Sequence, residues 1–465
     1  MRTYAEYLEH KAQADSAAGF GPSWMPDFLF PFQQALTTWA VRQGRAALFE
    51  DCGLGKSPQE LVWAQNVHVR TGKPVLILTP LAVTFQMEAE AAKFGVEAAI
   101  SRDGSIPAPV VITNYERLEK FDRAAFGGAV CDESSAIKAF DGVRRALVTD
   151  FMRKMQYRLL GTATAAPNDY IELGTSSEAL GYLGHQDMIS RFFTNRQRTN
   201  DAKGHWAGFG RPRQWEQKAF RFKGHAEDPF WRWVTSWARA LRRPSDMGFD
   251  DDGFILPPLD YRQHIVQVPY DPEETGTLFE VAARGLHEER AELRRTIRQR
   301  CELAAQLLDD AKTGIAWCHL NAEGDLLEQM IPGAVQVAGS DSPDAKEEKL
   351  IGFARGDYEK LVIKPRIGAW GLNLQRCHRM TYFPDYSYEA HYQAVRRCWR
   401  FGQDQPVTVD IITTPGGANA LAGLQRKAVQ ADEMFTALTG HMNDALAVRR
   451  SVIYDTDAEV PPWAG

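Results

Sequence analysis

Short, continuously apolar runs alternate with stretches of helical periodicity through the first third of the chain: "PVLILTP" (74–80), "VVIT" (110–113), "AVCDE" (129–133) and "RLLGTAT" (158–164). Strands that are apolar on both faces, rather than every second residue, belong to a parallel sheet covered by helices on either side. The same alternation returns late, in "GIAWCH" (314–319), "KLVIKP" (360–365), "RMTYFP" (379–384) and "VTVDIIT" (407–413). The pattern predicts two α/β lobes. Between them, "FWRWVTSWARAL" (230–241) reads as a helix burying Trp233 and Trp237, four residues apart, in a small core. A longer amphipathic run through Leu286, Leu293, Ile297, Ala304 and Leu308 predicts one helix packed on a lobe, with Arg290, Arg294, Arg295, Arg298 and Arg300 on its outer side.

A length of 465 residues fits two or three domains. No apolar run reaches the roughly 18 residues a membrane span needs, and the start lacks the apolar core of a signal peptide, so a cytoplasmic protein without membrane partners is expected. The six cysteines never fall in C-x-x-C spacing, and His205, His225 and His319 have no second ligand at helical spacing, which argues against zinc. The net charge of −6 gives no global sign of nucleic-acid binding. Charge is uneven, however: residues 188–243 hold thirteen Lys or Arg against four Asp or Glu, interleaved with Trp206, Trp215, Trp231, Trp233 and Trp237. Lys203, Arg211, Arg213, Arg221 and Lys223 are the candidate nucleic-acid contacts there. Changing them to Glu is expected to weaken a sequence-tolerant, salt-sensitive grip on phosphates.

The candidate chemistry starts at "FEDCGLGKS" (49–57), which follows one apolar run and precedes a helical pattern. A strand, a glycine turn and a helix N-terminus form a nest of backbone N–H groups suited to phosphate. Gly53 and Gly55 let the backbone close around the phosphates, Lys56 would reach the β- and γ-phosphates, and the Ser57 hydroxyl would ligate magnesium. Glu50 stands where the usual G-x-x-x-x-G-K-[ST] pattern has its first glycine. Asp132 and Glu133 close an apolar strand, where the carboxyl ends of a parallel sheet face the ligand crevice. Asp132 would hold Mg²⁺ and Glu133 would activate the attacking water, two tasks that need two carboxylates. "QAVRRCWRFGQ" (393–403) places Arg397 and Arg400 three apart on one helical face, aimed at the charge that develops on a transferring phosphoryl group. Arg396 points elsewhere, toward DNA or the surface.

In this order, these segments resemble the superfamily-two helicases and translocases, and most closely the compact phage and prophage form of the Swi/Snf-type ATPases. The resemblance spans residues 28 to 414 and implies two RecA-like lobes clamping ATP and Mg²⁺, with nucleic acid running across both. "FPFQQALTTWA" is similar to the glutamine motif, which makes Gln33 the adenine contact. "LILTPLAVTFQ" and "VVITNYE" resemble motifs on the nucleic-acid backbone, implying contacts for Thr79, Pro80, Thr113 and Asn114. "LLGTATAAPNDYIEL" resembles the motif that couples hydrolysis to movement through Thr162 and Thr164, with Gln393 a further coupling residue. "LVIKPRIGAWGLNLQ" is similar to the motif that sets Gly371 and Asn373 near the nucleotide, and Arg397 and Arg400 take the position of arginine fingers. Departures are Ser134 and Ser135 where histidine or glutamine is commoner, Ala165 in place of proline, and Trp370 between glycines. None removes a charge from the hydrolytic set.

The expected organisation is an N-terminal helical extension (1–27), a first RecA-like, ATP-binding lobe (28–189), a basic, mainly helical insertion (190–256), a second RecA-like lobe (257–440) and a tail (441–465). The expected activity is a DNA-dependent ATPase motor moving on duplex DNA, with or without a protein partner. A strand-separating helicase and an ATP-switched nucleic-acid-binding scaffold are the alternatives, and RNA in place of DNA is open.

Overall fold

The computed structural model describes residues 18–139, 142–166, 169–195, 220–268, 286–368 and 373–451. Lys203, Arg211, Arg213 and Gly371 lie outside the described residues. The first lobe is a seven-stranded, wholly parallel sheet built from β1 (Arg45–Glu50), β2 (Val75–Thr79), β3 (Ala98–Ile100), β4 (Val110–Asn114), β5 (Gly128–Cys131), β6 (Tyr157–Gly161) and β9 (Ala238–Leu241). Its order is β3-β4-β2-β5-β6-β1-β9. A small antiparallel pair, β7 (Phe193–Asn195) and β8 (Phe220–Phe222), lies apart from it.

The second lobe is a six-stranded parallel sheet, made of β10 (Leu259–Ile265), β11 (Gly314–Trp317), β12 (Ala334–Val337), β13 (Lys360–Ile363), β14 (Arg379–Tyr382) and β15 (Val407–Thr413) in the order β10-β15-β14-β11-β13-β12. The fold is thus α/β with two parallel-sheet lobes, as expected from the continuously apolar strands. Alternation along β1 shows the reason: Ala47 and Phe49 enter the core on one face of the sheet, Ala46 and Leu48 the core on the other. In the second lobe Ile315 and Trp317 face one core and Ala316 the other.

Two elements depart from the sequence expectation. The helix of the tryptophan-rich segment runs Glu227–Trp237, and residues 238–241 are strand β9, hydrogen-bonded beside β1. Pairing with the open edge of β1 satisfies the backbone of Ala238–Leu241 and buries all four residues, which a further helical turn would leave off that edge. Trp237 is fully buried in the first-lobe core with its ring edge-on to Phe49, and Trp233 packs against the same core.

The long amphipathic run is two helices, Leu286–Arg295 and Ile297–Asp309, broken at Thr296. There the threonine hydroxyl donates to the Glu292 carbonyl (2.8 Å) and accepts from Arg300 Nε (3.0 Å). Arg300, expected outside, is buried in an ion pair with Glu323 at 2.8 Å.

The last described helix, Ala418–Ser451, crosses between lobes. Leu421 and Leu424 join the second-lobe core, whereas Met434, Phe435 and Leu438 join the first-lobe core. Arg242 of the first lobe pairs with Asp432 on this helix at 2.5 Å.

Candidate functional site

The site collects at the carboxyl ends of the strands, where parallel strands release their loops into one crevice. Strand β1 ends at Glu50, and the loop Asp51–Gly55 leads into the helix Lys56–Thr71. Gly53 (φ 93°) and Gly55 (φ 79°) occupy left-handed backbone that a side chain would strain. Space is equally demanding: a Cβ on Gly53 would lie 2.8 Å from the Phe401 nitrogen, and one on Gly55 would lie 2.3 Å from Gln33 Nε2. Gln33 accepts from the Phe30 N–H (2.9 Å) and donates to the Leu54 carbonyl (2.7 Å), so it braces this loop from the helix Pro31–Gln43. Lys56 Nζ donates to the Glu50 carbonyl at 2.9 Å, which folds the ammonium back over the loop.

Carboxylates surround that ammonium. Burial alone would lower the Lys56 pKa, yet Cys52, Glu133, Glu50 and Asp132 raise it on balance. Burial pushes Asp132 up to about 7, with the neighbouring Glu133 charge adding to the effect and Lys56 opposing it. Glu50 is likewise pushed by burial to about 7 despite Lys56 and a 2.7 Å hydrogen bond from Gln59. Glu133 has a φ of 48°, the single positive value at a non-glycine among the described residues. Backbone in that region is costly for a glutamate and persists only where its surroundings impose it. Here the Ser134 N–H donates to the Gly161 carbonyl at 2.8 Å and the Thr162 hydroxyl donates to Glu133 Oε2 at 3.4 Å.

The second lobe delivers the cations. The helix Tyr388–Cys398 is capped by Ser387, whose hydroxyl accepts from the Ala390 N–H at 3.2 Å. Arg397 lies on this helix and its Nη2 donates to Gln393 Oε1 at 3.1 Å. Arg400 lies in the turn just past the helix end, not on the helical face that the sequence predicted. Burial, and then the charge of Arg397, hold the Arg400 guanidinium below its ordinary range. A polyanion between the lobes would relieve that repulsion.

One cleft of about 350 Å³ brings together Gln33, Gly53, Gly55, Lys56, Ser57, Asp132, Glu133, Arg397 and Arg400. Sequence reasoning missed several of its other residues. Phe30, Phe254 and Phe401 form an aromatic string at its edge, with ring centroids 5.0 Å apart for Phe30 and Phe254 and 4.9 Å for Phe254 and Phe401. Gln86 and Glu90, joined at 2.9 Å, line another wall. Their i, i+4 spacing was visible in the sequence, but a polar helix face carries no sign of what it borders.

Asn373 is exposed and does not line this cleft. Gln393, Thr162 and Thr164 are buried behind it. Thr79 and Thr113 are buried, their hydroxyls bonded to the Pro80 carbonyl (3.0 Å) and the Ser101 carbonyl (2.9 Å), and Asn114 is buried with them at the strand ends. Pro80 is half-buried, whereas Arg221 and Lys223 are exposed. Arg396, expected to reach the surface or DNA, is instead buried and ion-paired to Asp51 of the other lobe. The aromatic rings of Tyr392 and Trp399 flank its guanidinium and draw it inward.

No described helix is long and apolar enough to cross a membrane. No family model and no curated protein matches the chain. Among solved structures, the chain is similar to the Sulfolobus solfataricus SWI2/SNF2 ATPase core in complex with dsDNA, at 16% identity over 90% of this chain and 95% of that one, with a TM-score of 0.39.

Proposed function

We propose that the chain is a DNA-dependent ATPase motor that couples ATP hydrolysis to translocation on duplex DNA and to remodelling of what is bound there. The observation that carries this reading is the meeting of Lys56, Asp132 and Glu133 from one lobe with Arg397 and Arg400 from the other around a single cleft. A nucleotide held there closes the gap between lobes, and its loss releases it, which is how hydrolysis becomes movement. The oxygen donors Ser57 and Asp132 suit magnesium, a hard cation that keeps waters and phosphate oxygens as its other ligands. When bound, the ion would neutralise charge on the β- and γ-phosphate oxygens.

The chain's own residues do the rest. Gln33 orients the base end, and Lys56 with the loop N–H groups holds the phosphates. Glu133, held by its backbone and by Thr162, takes a proton from the attacking water. Arg397 and Arg400 stabilise charge on the transferring group. DNA as the track is supported by the motif resemblance and by the basic segment, of which Arg221 and Lys223 are exposed.

The test is ATP turnover with no nucleic acid, single-stranded DNA, duplex DNA or duplex RNA, in the wild type and Arg400→Ala. Removal of one such arginine is expected to cost roughly 10³-fold or more. Strong stimulation by duplex DNA that vanishes in Arg400→Ala is the expected result. Stimulation by single strands alone would replace the duplex motor with a strand-separating helicase, and absence of turnover throughout would overturn the enzyme reading.

A further inference from the structure

Three arginines end the helix Tyr388–Cys398 and the turn after it, yet only Arg397 and Arg400 line the nucleotide cleft. Arg396 does not. Its guanidinium lies 4.4 Å from the centroid of the Trp399 ring and 5.4 Å from that of Tyr392, and its Nη1 donates to the Trp399 carbonyl at 3.3 Å. Its Nη2 forms an ion pair with Asp51 Oδ2 across the lobe boundary. Both side chains are 8% exposed.

Asp51 is the first residue of the phosphate loop. Its Oδ1 accepts from the Cys52 N–H at 2.6 Å and also from the Tyr392 hydroxyl. One carboxylate is therefore bonded to the loop backbone on one side and to two residues of the second lobe on the other. Asp51 and Arg396 border a separate cavity of about 160 Å³, together with Thr164, Arg242, Tyr388 and Asp432. The pair thus sits behind the loop, out of reach of a nucleotide in the cleft.

Removing one partner of a buried ion pair leaves the other charged and desolvated. In this protein the partners sit on different lobes, so that penalty falls on the closed arrangement. Opening returns both groups to water, and neither lobe's own core is affected. We propose that Asp51 and Arg396 form an inter-lobe latch, in which Arg396 is a positioning residue that sets Arg397 and Arg400 against the phosphate loop. Its catalytic consequence rests on the proposed ATPase activity, whereas its mechanical consequence does not.

A double-mutant cycle with Asp51→Asn, Arg396→Met and the double variant tests it. Asp51→Asn is isosteric and keeps the acceptor for the Cys52 N–H, and Arg396→Met removes the guanidinium while keeping an unbranched side chain. Two readouts are used: ATP turnover with duplex DNA, and the radius of gyration of the nucleotide-free protein from X-ray scattering. Each single variant is expected to lower kcat at least tenfold while changing KM less than threefold, and to expand the protein. The double variant should be no worse than the poorer single one, because the interaction can be lost only once. Singles within twofold of wild type, or losses that multiply in the double variant, would overturn the latch. If the wild type itself shows no turnover, the proposed function fails and the scattering cycle decides alone: shared, non-additive expansion supports the latch, and unchanged size refutes it.

Discussion

A chain of hydrogen bonds runs from the candidate general base to the arginine-bearing helix, and cutting it should separate ATP turnover from movement. The Thr162 hydroxyl donates to Glu133 Oε2 (3.4 Å) and accepts from the Thr164 N–H (3.1 Å), and the Thr164 hydroxyl donates to Glu389 Oε1 (3.1 Å) on the helix Tyr388–Cys398. Thr164→Val keeps the shape and removes the hydroxyl, leaving the Glu389 carboxylate without that donor. A hydrogen bond to a charged acceptor contributes about 1.5–3 kcal/mol. At about 1.4 kcal/mol per factor of ten, its loss shifts the equilibrium between coupled and uncoupled lobe arrangements roughly ten- to hundredfold.

The assay measures displacement of a third strand from duplex DNA and ATP consumed in the same reaction. Displacement per ATP is expected to fall about tenfold or more in Thr164→Val. Thr164→Ser, which retains the hydroxyl, should return most of it. A ratio within twofold of wild type in Thr164→Val would refute the reasoning, because the hydroxyl would then carry no coupling.

Glu50 offers a pH test. Its folded-state pKa is raised from 4.5 to about 7, chiefly by burial, so its contribution to stability is fully present below 4.5 and is lost as the pH rises through 7. Glu50→Gln should therefore flatten the fall in melting temperature of the nucleotide-free protein between those pH values, and parallel curves would contradict the assignment. Trp237→Ala should destabilise the first lobe by roughly 3–5 kcal/mol, as truncation of a fully buried aromatic does, lowering the denaturant midpoint. An unchanged midpoint would mean the ring is not a core residue.

How much of this was legible in the sequence follows the range of the interactions involved. Strand and helix patterns are local, so the continuously apolar runs from Val75–Thr79 to Val407–Thr413 announced two buried parallel sheets. The turn conformation of the candidate phosphate loop was equally legible, because Gly53 and Gly55 stand two apart ahead of a helical pattern and their left-handed backbone is a local need. The position of Asp132 and Glu133 at the cleft was legible too, because the carboxyl ends of parallel strands open on one crevice.

Tertiary structure alone decided what distant residues share. Arg396 and Arg397 are neighbours of the same type, yet one is ion-paired to Asp51 behind the loop and the other lines the cleft. Spacing on a helix gives direction relative to that helix, and only the docking of the second lobe says what lies in that direction. The same holds for Phe254 and Phe401, whose rings meet across 147 residues of chain at 4.9 Å, and for Ala238–Leu241, where an open edge beside β1 outweighed local helical periodicity. Local pattern sets which face of an element is buried. The partner is set by long-range packing, whose free energy depends on the whole fold and is written in no single stretch of sequence.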